Sequence, residues 1–511
     1  MKKVFLLIAL FFTAALAAFS ADKPEYNIKI RIKGLKDTMV YMAYYMGEAT
    51  YMHDSARMDS KGWVEFKRDT VLECGIYLIA VNRVKLFEFV VSEQQFTLET
   101  DTANYITNMK VKGSKNNDVF YDWQKYVYSV EVEETSLKET LEKIQGNPAM
   151  ADSARKISER IKQIPTTVYN YRKELIKNNP GMVLTQMFNF LSDPEIPPTV
   201  DSASRFYYYR DHYWDNMDFT SACILRSPVY KGKLMRYFDN LFPQHPDSLW
   251  EAADKLVSKT LANKELFRYT LGTIINKYAE SKLICMDGVA VRLTYKYYTK
   301  DNVFWLDTVE TNRQRSNAES FMPTLCNLPA PPLMMYDTTL QRKVNKIVDS
   351  DTNEITRGDK LYRLLQKEKT TDLYDVKAEY TILVFWDPDC GHCKKEMPII
   401  KKLYDTVKSM GVQTYAVCVE QDFENFVKYI REHKLDWINV SDIYNMTGFR
   451  KSYNLNSTPQ IFLLDKNKRI MYKRLSAEQL KEILYHELKL PYTPPAEKPD
   501  ESHSPDDGHG H

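Results

Sequence analysis

The chain has 511 residues, 70 of them Lys or Arg against 68 Asp or Glu, and 44% of it is hydrophobic. That length is too great for one core and predicts about three or four domains. The balance of charge excludes an electrostatic case for nucleic acid. The 35 tyrosines are spread through periodic segments, as core and interface material rather than a base-stacking platform.

Met1-Lys2-Lys3 precede an apolar run from Val4 to Phe19 interrupted only by Thr13. A charged start, a greasy middle and small residues at Ala15 and Ala17, with Ala21 as a second cleavage candidate, predict a secretory signal over residues 1–21. The apolar part is too short to span a bilayer comfortably. No cysteine sits at the cleavage point, so no lipoprotein signal is expected. Without Lys2 and Lys3 the mature chain carries 68 basic and 68 acidic residues. No later segment has the length and apolarity of a transmembrane helix, and a periplasmic location is expected.

From Tyr26 to Met109 short runs alternate apolar and polar residues, as in Tyr26-Asn27-Ile28-Lys29-Ile30-Arg31-Ile32, with turn signals such as Ser60-Lys61-Gly62 between them. This predicts an antiparallel β-sandwich over residues 22–113. Residues 114–322 change to helical spacing, with Leu137, Leu141 and Ile144 on one face and Ile157, Ile161 and Ile164 on another. Pro180, Pro194, Pro197 and Pro198 punctuate the stretch, and a central α-helical scaffold domain is expected. Beyond the joint Pro329-Ala330-Pro331-Pro332, strands and helices alternate in an α/β domain expected over residues 323–490. A polar tail, residues 491–511, is expected to be disordered, its His503, His509 and His511 a solvated run rather than a metal site. The fold class is therefore multidomain α+β.

Seven cysteines are present: Cys74, Cys223, Cys285, Cys326, Cys390, Cys393 and Cys418. An odd count leaves at least one thiol unpaired. The five apart from Cys390 and Cys393 read chiefly as small buried apolar residues, and spacing does not say whether any of them, or which, pair in a structural disulfide.

The apolar block Thr381-Ile382-Leu383-Val384-Phe385-Trp386 has the pattern of a buried central strand. Asp387-Pro388-Asp389 ends it, with Asp389 suited to cap a helix. Cys390-Gly391-His392-Cys393 follows, with Met397, Ile400, Tyr404 and Val407 at helical spacing, so Cys390 falls at the helix start. Unpaired N–H groups and the positive end of the helix dipole there favour the thiolate. Cys390 is assigned as nucleophile and Cys393, one turn deeper, as the resolving thiol. His392 can add positive charge and stabilise the reduced state. A zinc reading would need a second pair of ligands, and there is no second C-x-x-C. Ser476-Ala477-Glu478-Gln479 has the form of a capping box opening a last helix.

From about Leu328 to Leu490 the chain resembles the TlpA-like branch of the thioredoxin superfamily, through Phe385-Trp386, Cys390-x-x-Cys393-Lys394-Lys395-Glu396-Met397-Pro398 and Thr458-Pro459. The resemblance implies a thiol-disulfide oxidoreductase; no cofactor and no metal are expected. It makes Pro459 a cis-proline facing the disulfide, lets Thr458 offer its backbone to an extended substrate, and has Pro398 kink the active-site helix. Trp386, Gly391 and His392 are then expected to tune the site. Gly391-His392 resembles the dipeptide of protein disulfide isomerase rather than that of reducing thioredoxins, which leaves the direction of electron flow open. The segments before residue 323 resemble companion domains found beside such modules in Gram-negative envelope proteins. Expected partners are cysteine-containing envelope proteins and a membrane or periplasmic redox partner. A peroxiredoxin-like peroxidase normally carries Thr three residues and Pro seven residues before its reactive cysteine, where this chain has Asp387 and Leu383. From another class comes a partner-binding envelope protein that uses the thioredoxin module as a redox-tuned dock.

Overall fold

A computed structural model describes residues 25–492, so the expected signal segment and nearly all of the expected tail, with His503, His509 and His511, lie outside the described residues. The described chain forms two compact units, residues 25–242 with 257–269 and residues 243–256 with 270–492.

In the first unit the alternating residues make strands β1 (Tyr26–Lys33), β2 (Met39–Met46), β3 (Ala49–Arg57), β4 (Trp63–Arg68), β5 (Gly75–Val81), β6 (Val84–Val91), β7 (Gln95–Asp101) and β8 (Lys110–Lys112). Along β1 the residues Tyr26, Ile28, Ile30 and Ile32 are buried, while Lys29 between them is exposed, as a period of two requires. Two four-stranded sheets result, ordered β4-β1-β7-β8 and β3-β2-β5-β6. One pair departs from the expected antiparallel sandwich: β1 and β7 run parallel, from Asn27 beside Gln95 to Lys33 beside Asp101. Alternation sets which face a side chain takes and says nothing of strand direction, and β7 returns to β1 through other strands rather than through a hairpin.

Helices follow: α1 (Lys115–Ile144), α2 (Ala151–Asn178), α3 (Val183–Leu191), α4 (Arg205–Asp211), α5 (Val229–Asn240), α6 (Pro246–Thr260), α7 (Lys264–Ala279), α8 (Asp287–Tyr297) and α9 (Thr308–Phe321). Ser114 caps α1, accepting the Asn117 N–H. This helical stretch is shared between the two compact units. A 3.6-residue pattern shows that a helix buries a face without showing against what.

The reading of the scattered cysteines as small apolar residues is corrected. Cys74 is bonded to Cys223 in the first unit, and Cys285 to Cys326 in the second. Separations of 149 and 41 residues leave no local signal, because pairing depends on tertiary approach.

The second unit holds a seven-stranded sheet built from β9 (Met334–Asp337), β10 (Thr371–Asp372), β11 (Tyr380–Trp386), β12 (Val412–Cys418), β13 (Ile438–Ser441), β14 (Gln460–Leu464) and β15 (Ile470–Lys473). Its order is β10-β9-β13-β12-β11-β14-β15. Its helices are α10 (Thr338–Ser350), α11 (Glu354–Lys367), α12 (Gly391–Val407), α13 (Phe423–Glu432), α14 (Phe449–Ser452) and α15 (Ala477–Glu487). The central strand β11 runs parallel to β12 and antiparallel to β14. Its alternate residues serve two cores. Ile382, Val384 and Trp386 pack with Cys393, Met397 and Ile400 of α12, while Leu383 and Phe385 pack with Tyr415, Phe449 and Tyr453. Burial on both faces explains why β11 reads as one unbroken apolar run. Ser476 forms the complete capping box with Gln479 at the start of α15. Among the described residues no helix is long and apolar enough to cross a membrane.

Candidate active site

The candidate site lies where β11 gives way to α12. Asp387-Pro388-Asp389 stop the strand, but the cap is not Asp389 as the sequence suggested. Cys390 itself is the N-cap, with φ −67° and ψ 123°, its sulfur accepting the Cys393 N–H at 3.4 Å. The Asp389 carboxylate is engaged elsewhere, accepting from Asn425 Nδ2 at 2.9 Å and facing Lys394 Nζ at 3.6 Å. The Cys390 N–H donates to the Asp387 carbonyl at 3.2 Å, which fixes the backbone just before the helix.

Antiparallel pairing of Phe385 with Gln460 sets the start of β14 beside the end of β11. The loop leading into β14 therefore meets the cysteine. The Cys390 thiol donates to the Thr458 carbonyl at 3.2 Å, and the Thr458–Pro459 bond is cis, in agreement with the resemblance.

The two cysteines occupy opposite environments. Cys390 is half-buried and Cys393 is 1% exposed. For Cys390 burial opposes ionisation, but hydrogen bonds from the Thr458 side chain, from Cys393 and from the His392 N–H outweigh it and bring the thiol below its ordinary value. For Cys393 burial dominates and pushes the thiol up to about 12. Cys418, the remaining free thiol, is buried on β12 in register with Trp386, and desolvation pushes it well up.

The other expected site residues fall as follows. Gly391 and His392 are exposed on the first turn, and His392 contributes its backbone N–H to the Cys390 sulfur. Nothing lies within 4 Å of where a Gly391 side chain would begin, so space alone does not require glycine there. Trp386 is fully buried, its ring 5.0 Å from Tyr429 and 6.0 Å from Phe426. It lies under the site, in the core that contains Cys393, rather than on the surface a substrate would touch. Pro398 is inside α12.

Sequence reasoning missed three supports. Glu396 accepts the Ala477 N–H at 2.5 Å, tying α12 to the start of α15. Tyr429 covers Trp386 from α13. Arg450 donates to the Val419 carbonyl, while the Val419 N–H donates to Trp386 O at 2.9 Å. Glu396 stands in the quoted run after Cys393, so its presence was legible and its partner was not. Among the described residues no group of three or more His, Cys, Asp or Glu is placed to hold a metal ion.

Residues 348–485 match the Redoxin family, residues 154–322 a domain of unknown function (DUF5106) and residues 26–120 another (DUF4369). Thiol-disulfide oxidoreductase ResA of Bacillus cereus is 29% identical over 116 residues, covering 23% of this chain and 65% of its own, so the chain spans just under two thirds of that relative. Sporulation thiol-disulfide oxidoreductase A of Bacillus subtilis is 33% identical over 112 residues, covering 21% of this chain and 67% of its own. Among solved structures, a domain of a possible thiol-disulfide isomerase from Cytophaga hutchinsonii is 35% identical, covers 33% of this chain and 95% of its own, and has a TM-score of 0.26.

Proposed function

The chain belongs to the TlpA-like branch of the thioredoxin superfamily, with two additional domains before its thioredoxin-like one, and we propose that it is an extracytoplasmic thiol-disulfide oxidoreductase acting on cysteines of envelope proteins through Cys390 and Cys393. The observation that carries this reading is the asymmetry of the pair: one half-buried sulfur at a helix start with its thiol acidified, and one buried sulfur with its thiol pushed up to about 12.

In the reducing direction the Cys390 thiolate attacks one sulfur of a client disulfide. The client S–S bond breaks, its second sulfur leaves as a thiolate, and a Cys390–client bond forms. Cys393 then gives up its proton and attacks Cys390, releasing the client's first sulfur. The client gains two electrons and becomes a dithiol, while Cys390 and Cys393 become a disulfide. The oxidising direction is the same sequence reversed. Cys393 has no disulfide to attack until a client is joined to Cys390, and its raised pKa keeps it a poor nucleophile toward any other disulfide. Thr458 and Pro459 receive the client chain beside the sulfur.

Two crosslinks, Cys74–Cys223 and Cys285–Cys326, support an oxidising compartment, as does the secretory composition of residues 1–21. Cys393→Ala tests the proposal. Recovered from the periplasm, this variant should carry client proteins in bonds that dithiothreitol releases, and Cys390→Ala should carry none. Equal recovery from both would refute the assignment. Insulin reduction that survives Cys390→Ala would do so as well.

A further inference from the structure

Beside Pro459, on the side leading to β15, the second unit has an open pocket of about 340 Å³ whose walls include Asn454, Asn456, Pro459, Gln460, Arg474 and Leu475. The Leu475 N–H donates to the Ile461 carbonyl at 3.2 Å, which holds the Arg474-Leu475 segment against the start of β14. Arg474 adopts a left-handed backbone, φ 56°, a conformation costly for a residue with a side chain. Its guanidinium lies 4.7 Å over the Phe321 ring, and among the described residues no carboxylate pairs with it. The remaining polar side chains of the lining are the Ser457 hydroxyl and three carboxamides. Asn456 Nδ2 donates to Asn454 Oδ1 at 3.0 Å, Gln460 Nε2 to the Asn454 carbonyl at 3.5 Å, and Asn454 Nδ2 is buried with no hydrogen-bond partner.

From this arrangement we propose that the pocket is a client-recognition subsite for an acidic side chain, with Arg474 as the residue that sets specificity. The inference rests on the oxidoreductase reading above. The pocket is next in sequence to Thr458, whose carbonyl is 3.2 Å from the Cys390 sulfur. An extended client advances about 3.3 Å per residue, so a side chain within about three residues of the client cysteine reaches the pocket while its sulfur is at Cys390. A planar guanidinium already supported on an aromatic face is suited to a carboxylate, and a spare amide N–H supplies a further donor. A lysine entering the same pocket would meet like charge and no acceptor carboxylate.

The test uses the reduced full-length protein and a set of extended peptides, each with one cysteine blocked as its methyl disulfide. Complete reaction turns the peptide S–S–CH₃ group into peptide thiol and methanethiol and turns Cys390 and Cys393 into a disulfide, whichever peptide sulfur is attacked first. The flanking positions carry Asp, Asn or Lys in otherwise identical sequences, and rates are read by mass spectrometry of quenched samples at low salt. The Asp peptide should react about tenfold faster than the Lys peptide, the size expected of one charge-assisted hydrogen bond, and the ratio should shrink in high salt. Arg474→Ala should bring the Asp-to-Lys ratio near one, and Arg474→Glu should invert it. A native ratio near one, or a ratio indifferent to Arg474→Glu, overturns the subsite and leaves the oxidoreductase reading intact. Failure of every peptide to react overturns that reading and the subsite with it.

Discussion

The start of α12 and the segment around Cys74 and Cys223 each bring two cysteines into play, yet the structure treats them differently. At α12 the sulfurs are three residues apart, one on a helix cap and one in the core, and both are thiols. At the other place the residue before β5 is joined to a short turn at Cys223–Leu225, 149 residues away. Gly75, beside Cys74, packs its backbone so closely on Arg226 that a side chain there would collide with it. One arrangement leaves a sulfur free to change partners, and the other fixes two distant parts of the chain. Backbone environment and separation, rather than the presence of cysteine, distinguish reactivity from crosslinking.

That contrast breaks if substitutions at the two places have interchangeable effects. The largest effect is expected from Cys390→Ala, which should lower insulin reduction on the order of 10³-fold or more while leaving the thermal midpoint nearly unchanged. Replacing Cys74 and Cys223 together by Ser should do the reverse, costing about 2–5 kcal/mol of unfolding free energy in the first unit by denaturant titration and leaving exchange in place. The contrast sharpens with pH. Folded Cys393 keeps its proton up to about 12, whereas an unfolded cysteine loses it near ~8.5, so the reduced protein should lose stability as pH rises from there. Cys390, acidified in the fold, works the other way, so stability should rise as pH climbs toward the unfolded value. Oxidation of the pair removes both titrations, and comparing thermal midpoints of the two redox forms across pH isolates them. The smallest effect is expected from Thr458→Ala, which keeps the carbonyl beside Cys390 but removes the side chain that lowers its pKa, and should raise its titration midpoint slightly, measured by thiolate absorbance.

Much of this was legible in the sequence where the signal is local. The run from Thr381 to Trp386 is a doubly buried strand, Ser476 and Gln479 form their capping box, and the C-x-x-C pair stands at a helix start. What was not legible depends on distant approach. The partners of Cys74 and Cys285, the parallel meeting of β1 and β7, and the contact of Glu396 with Ala477 are each set by tertiary packing. The capping residue was missed by one position because Asp389 has the better intrinsic preference and loses it to Asn425 and Lys394.

The central claim is that the fold holds Cys390 as an anion more readily than water does. The rate at which iodoacetamide alkylates Cys390 in the reduced full-length protein, followed peptide by peptide from pH 5 to pH 10, measures this directly. The account predicts a midpoint below that of a free cysteine, ~8.5, with Cys393 and Cys418 unlabelled while the protein stays folded. A midpoint at or above the free value, or equal labelling of all three sulfurs, would contradict it.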